Sequence, residues 1–126
     1  MKHLRVCSIC SVLLFLLLVV VGCNRSSSSL APLPVGELSS ALEKAFSKTK
    51  PGVKDLADQV IASVKTQDYP KAYRELQNLS IAPGLTREQA SIASRSILTV
   101  HGLLQSAEAK GDQKAATTLN NYRMSK

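Results

Sequence analysis

The chain has 126 residues, three cysteines, no tryptophan and a formal net charge of +7. This length leaves room for one small domain, and an aromatic content of 4% requires a core of aliphatic side chains and alanine. The basic residues are dispersed among acidic ones, which is typical of a solvated surface with a loose attraction to anionic polymers or lipids. No stripe of basic and aromatic residues is present, so a nucleic-acid partner is not expected.

The N-terminal segment carries Lys2 and Arg5 and then an apolar run from Val12 to Val21. A helix of that run would cover about half of a ~30 Å hydrocarbon core, so it is too short to span a bilayer stably. A basic start, a short apolar run and small residues after it are typical of an export signal. We therefore predict a signal peptide over residues 1–22.

The junction Val20-Val21-Gly22-Cys23 resembles the lipobox of bacterial lipoproteins. The resemblance implies a thioether-linked diacylglycerol on Cys23, cleavage before it, and a further fatty chain such as palmitate on the new amino group. Two or more fatty chains hold a protein stably on a bilayer. By the same resemblance, Asn24 in place of aspartate implies the periplasmic leaflet of the outer membrane, if the organism has one. The alternatives are an ordinary cleaved signal and a short uncleaved anchor.

The cysteines have no other predicted role. Cys7 and Cys10 have CxxC spacing but lie in the signal segment, and Cys23 is used by the lipid. The mature chain would then have no thiol for catalysis, for a disulfide or for a metal, which agrees with an extracytoplasmic location.

After Cys23 the composition predicts a linker and then a domain. Residues 23–36 are rich in serine and proline and read as a flexible tether. Residues 37–126 show helical periodicity, with breaks at Pro51, at Pro83-Gly84 and at Gly111. Predicted caps are Asp68, Asp112 and the capping box of Thr86 and Gln89. We predict an all-α bundle of hairpins with four to five helices.

The stretch around Asp68 resembles the turn of a tetratricopeptide repeat. Asp68, Tyr69 and Ala72 match that family's pattern, whereas Gln67 replaces the usual glycine. The spacing from Asp68 to Ala72 recurs from Asp112 to Ala116, 44 residues later, although that repeat measures about 34 residues. The alternative, which the spacing favours, is two ordinary helical hairpins with the same turn chemistry.

No catalytic or metal site is predicted. The one histidine of the mature chain, His101, has no acidic partner at helical spacing, and the pair Asp55 and Asp58 is typical of a solvated helix face. We therefore expect no cofactor beyond the lipid, and a non-catalytic module that binds or scaffolds an envelope protein. A small hydrolase-like enzyme is the less favoured alternative. The candidate partner contacts are Tyr69, Tyr73, Arg74, Arg95 and His101. For the two tyrosines, packing in the core or in a turn is the favoured alternative.

The C-terminus supports a second hypothesis. Tyr122-Arg123 followed by the terminal Lys126 resembles the end of the small murein lipoprotein, which is joined to peptidoglycan through its last lysine. That family is one unbroken heptad helix, whereas prolines and glycines interrupt this chain. The alternative function is therefore an envelope structural lipoprotein that contacts the wall or is attached to it through Lys126.

Overall fold

The computed structural model describes residues 30–126, so the predicted signal peptide, the predicted lipobox with Cys23 and the first part of the predicted linker lie outside the described residues. The described part is all-α, which confirms the predicted fold class. None of its helices combines the length and apolar character needed to cross a bilayer. The five helices are α1 (Leu38–Phe46), α2 (Pro51–Lys65), α3 (Tyr69–Ser80), α4 (Arg87–Ala109) and α5 (Gln113–Met124).

The helices begin where the local sequence provides caps. Pro51 takes the first position of α2, where its missing N–H costs nothing. The Asp68 carboxylate accepts a bond from the amide of Lys71 at the start of α3. At α4, the Thr86 hydroxyl and the Gln89 side chain each accept a bond from the other residue's backbone amide, as predicted. These bonds satisfy amides that the first helical turn leaves unpaired.

Each helix packs on the next one along the chain, and α4 also contacts α1. The core lies between them and is aliphatic, apart from Phe46 and Tyr73, which are 1% and 2% exposed. Four of the buried core residues are alanines, and such small side chains permit close packing of helices. The most deeply buried aliphatic residues are Leu38, Leu42, Val60, Ala72, Leu76, Leu79, Ala93, Val100, Leu104 and Ala115.

The α2–α3 and α4–α5 turns have the same backbone design. Gln67 and Gly111 both adopt a left-handed conformation, with φ of 58° and 91°. The following aspartate donates its amide to a carbonyl five residues back: Asp68 to Ser63 at 2.9 Å, and Asp112 to Ala107 at 3.0 Å. This is the 6→1 bond of a Schellman motif. The left-handed position is where the tetratricopeptide family has glycine; descent from that repeat stays a prediction.

The end of the predicted linker is packed on the domain. Arg95 Nε donates to the carbonyl of Ala31 at 2.8 Å, and Thr99 Oγ1 donates to the carbonyl of Leu33 at 2.7 Å. The Leu33 side chain is 6% exposed and belongs to the core. We call residues 31–36 the strap. The ordered structure therefore begins before Glu37, because one leucine and two long-range hydrogen bonds bind this proline-containing segment to α4.

Candidate functional site

A groove runs between α3 and α5 on the surface of the bundle. It consists of two adjoining cavities of about 210 and 480 Å³. Both cavities are lined by Arg74, Thr118 and Asn121, which therefore mark the centre of the groove. The remaining lining residues are Asp68, Pro70, Tyr73, Gln77, Gln113, Lys114, Thr117, Tyr122 and Ser125.

The groove is polar and weakly basic. Arg74 and Lys114 bring two positive charges, against one acidic lining residue, Asp68, whose carboxylate already caps α3. Arg74 Nη1 donates to the carbonyl of Pro70 at 3.1 Å, a bond that uses one of the five N–H donors of the guanidinium group. Gln77 and Asn121 add exposed amides, each with donors and an acceptor.

Three rings lie together at one end of the groove. The Tyr73 ring is 6.0 Å from the His101 ring and 5.9 Å from the Tyr122 ring, and His101 and Tyr122 are 5.6 Å apart. Two of the three pairs meet edge to face, a favourable arrangement of aromatic quadrupoles. Burial raises the pKa of the Tyr73 phenol above its ordinary value, and the nearby Tyr122 adds to the rise. The cluster joins α3, α4 and α5, and two of its members, Tyr73 and Tyr122, line the groove.

The predicted contact residues do not form one site. Arg74 is exposed and lies in the groove, whereas Tyr73 is buried and therefore presents almost no surface to a partner. Tyr69 is half-buried and packs against the core. His101 is half-buried in the ring cluster, and Arg95 binds the strap. Both tyrosines thus pack in or against the core, which is the alternative that the sequence favoured, and the contact role of Tyr69, Arg95 and His101 stays a prediction.

The terminal lysine lies near the groove. Lys126 Nζ is 4.8 Å from the centre of the Tyr122 ring, a cation–π distance. Its side chain is exposed, as is that of the neighbouring Ser125, which lines the groove. Attachment of Lys126 to peptidoglycan stays a prediction.

Several polar residues of the structure were not predicted from the sequence. Gln77 and Asn121 look like ordinary surface amides until α3 and α5 are placed side by side. Glu75 is only 8% exposed, and Ser63 Oγ donates to its Oε2 at 2.6 Å across the α2–α3 hairpin. One signal was available for Glu75: its position one residue before Leu76 puts it at the edge of the apolar face of α3.

In residues 30–126, no three histidine, cysteine or acidic side chains are grouped closely enough to hold a metal ion. Comparisons with family models, with curated proteins and with solved structures find no match for this chain. What the groove offers chemically is hydrogen bonding from amides and hydroxyls, together with a fixed guanidinium group. These groups suit a polar, extended ligand such as a polypeptide backbone with an anionic side chain.

Proposed function

We propose that this chain is a membrane-anchored envelope lipoprotein whose helical domain binds a partner protein without catalysis. The observation that carries the binding role is the α3–α5 groove, which is polar, open and centred on Arg74. The anchor role rests on Val20-Val21-Gly22-Cys23 in the sequence. The domain would face away from the cytoplasm, on the outer membrane if the organism has one.

The side chains of the groove support a peptide partner. An extended backbone exposes alternating N–H and C=O groups, and an amide side chain can bond to both kinds. Gln77 on α3 and Asn121 on α5 flank the groove, so that one ligand could be held from both walls. Arg74 would then pair with a carboxylate of the ligand, since a guanidinium group binds carboxylates with two parallel bonds.

The rigidity of the two walls also supports binding. The ring cluster of Tyr73, His101 and Tyr122 connects both walls to α4, so the groove does not have to assemble when a ligand arrives. A pre-formed site avoids part of the entropy cost of ordering side chains on association. The hydroxyls of Thr117 and Thr118 donate to carbonyls of their own helix, which fixes both side chains.

Capture from detergent-solubilised envelopes, followed by mass spectrometry, tests the binding role. The bait is the full chain, compared with Arg74→Ala, Gln77→Ala and Asn121→Ala. Gln59→Ala is the matched control, because Gln59 is an exposed amide on α2 outside the groove. We expect the three groove variants to lose the captured partner and the control to retain it. A partner that every variant retains, or no partner at all, would contradict the proposal.

The anchor is tested by Cys23→Ser in a bacterial host. We expect the unsubstituted chain to fractionate with membranes and to carry the mass of a diacylglyceryl cysteine at its N-terminus. The variant should lose both the lipid and the processing. Unchanged processing and membrane retention in Cys23→Ser would refute the lipoprotein assignment. A peptidoglycan digest of the same cells reports whether Lys126 is linked to the wall.

A further inference from the structure

Three exposed apolar side chains belong to residues that lie within three positions of the hydrogen bonds between the strap and α4. Leu30, Val35 and Leu98 are 53%, 52% and 44% exposed, and we call them the strap patch. Leu30 adjoins Ala31, whose carbonyl is held by Arg95, and Leu98 lies one helical turn after Arg95. Val35 is two residues after Leu33, whose carbonyl accepts a bond from the hydroxyl of Thr99. Thr99 directly follows Leu98.

Exposed large hydrophobic residues are few in the described domain. Five large hydrophobic residues of residues 30–126 are exposed, and three of them belong to the patch. The other two, Ile81 and Met124, are at the C-terminal ends of α3 and α5. Scattered single apolar residues are normal on protein surfaces, whereas a group of them marks an interaction surface.

The chain leads from this same patch to the proposed lipid. Ala31 is eight residues after Cys23 along the sequence. A chain spans at most about 3.6 Å per residue, so the two residues lie within about 29 Å of each other in any conformation. The two hydrogen bonds of the strap hold Ala31 and Leu33 on α4. The tether from the anchor therefore joins the domain at the strap, next to the patch.

We infer that the strap patch is the surface by which the domain rests on its own bilayer, with Leu30, Val35 and Leu98 in the headgroup region. This inference rests on the proposed lipid anchor. Three partly exposed side chains would bind a bilayer only weakly by themselves, because burial energy scales with apolar area. The anchor makes the contact intramolecular, so a weak patch is sufficient. Arg95, which binds the strap beside the patch, and the net positive charge of the chain favour anionic headgroups, whereas Glu37, two residues after Val35, opposes them.

A single tryptophan can report this contact, because the chain has none of its own. The full chain is produced in a bacterial host, purified in detergent and reconstituted into vesicles of zwitterionic and anionic phospholipid containing a brominated lipid. Leu98→Trp and Val35→Trp are the reporters in the patch. Ile81→Trp is the control, since Ile81 is 82% exposed and lies outside the patch. Flotation of the vesicles measures anchoring separately, and circular dichroism confirms the helical fold.

We expect both patch reporters to be quenched at least about twofold more than the control, with emission shifted to the blue. Equal quenching at positions 98, 35 and 81 in a chain that floats would overturn the inference and leave the lipid anchor intact. A chain that does not float would overturn the anchor and this inference together. A blue shift at Leu98→Trp without vesicles, increasing with protein concentration, would assign the patch to a second copy and also overturn it.

Discussion

The two hairpins α2–α3 and α4–α5 have the same turn but different links between their helices. In both, a left-handed residue is followed by an aspartate that closes one helix with its amide and caps the next with its carboxylate. In α2–α3 the left-handed residue is Gln67 and the link is the buried bond from Ser63 to Glu75. In α4–α5 it is Gly111, and the link is an exposed ion pair of Glu108 with Arg123.

The difference shows that one turn design can be stabilised in two ways. Glycine adopts a left-handed φ without cost, whereas glutamine is strained there. The hairpin with the strained turn has the stronger link, because a hydrogen bond to a buried carboxylate contributes more than an exposed ion pair. The same hairpin carries Arg74, which lines the groove on α3.

The largest effect is expected for Ser63→Ala. The change removes the 2.6 Å bond and leaves the buried Glu75 with Lys71 as its ion partner, at 3.7 Å. The free energy of unfolding should fall by about 1.5–3 kcal/mol, the range for bonds to charged groups. Urea denaturation followed by circular dichroism measures it. Ser106→Ala, on the exposed side of α4, is the control and should change stability little. Equal losses in the two variants would show that the buried bond contributes nothing.

The next effect is expected for Gly111→Ala. A Cβ at this position would meet no atom within 4 Å, so the cost comes from the φ of 91° and not from a clash. We expect unfolding free energy to fall by about 1–2 kcal/mol. Gly102→Ala provides a control of opposite sign, because Gly102 lies inside α4 and also has open space around it. Alanine at position 102 should raise the free energy of unfolding by about 0.5–1 kcal/mol. A loss of stability at both glycines would mean that crowding around the added Cβ, and not the backbone φ, determines the change in unfolding free energy.

The converse substitution, Gln67→Gly, should stabilise the protein. Relief of the left-handed strain exceeds the extra entropy that glycine gives the unfolded chain, for a net gain of about 0.5–1 kcal/mol. Gln59→Gly, in the exposed middle of α2, should instead lower the free energy of unfolding by about 0.5–1 kcal/mol. The midpoint of urea unfolding separates the two outcomes. A loss at position 67 would indicate that the glutamine side chain stabilises the turn in a way its backbone does not reveal.

Much of the fold could be predicted from local chemistry. Caps such as Asp68 and the pair Thr86 and Gln89 act within one turn of helix, so the sequence alone contains the whole interaction. The strap could not be predicted in this way, because its contacts are long-range. Its bonds to Arg95 and Thr99 join residues more than 60 positions apart, and serine- and proline-rich composition is otherwise typical of a tether.

The candidate site was harder to predict than the fold. Arg74 was identified as exposed and basic, but a groove is a property of two helices, and no local pattern shows that α3 and α5 lie side by side. For Tyr73 the sequence favoured core packing but left a contact role open, because helical periodicity places a residue on a face without deciding how deeply that face is covered. The Ser63–Glu75 bond could not be predicted for the same reason. A serine and a glutamate are typical surface residues, and only the packing of two helices buries them.

The smallest effect is expected at the exposed link of the second hairpin. Glu108→Gln removes the ion pair with Arg123, in which the side chains are 30% and 56% exposed and the nearest atoms 3.3 Å apart. We expect a loss below about 0.5 kcal/mol, because water and salt screen such pairs. Urea unfolding at low and at high salt measures it, and the loss should vanish at high salt. A loss as large as that of Ser63→Ala, unaffected by salt, would mean that both hairpins depend on a buried charge, and the contrast between them would fail.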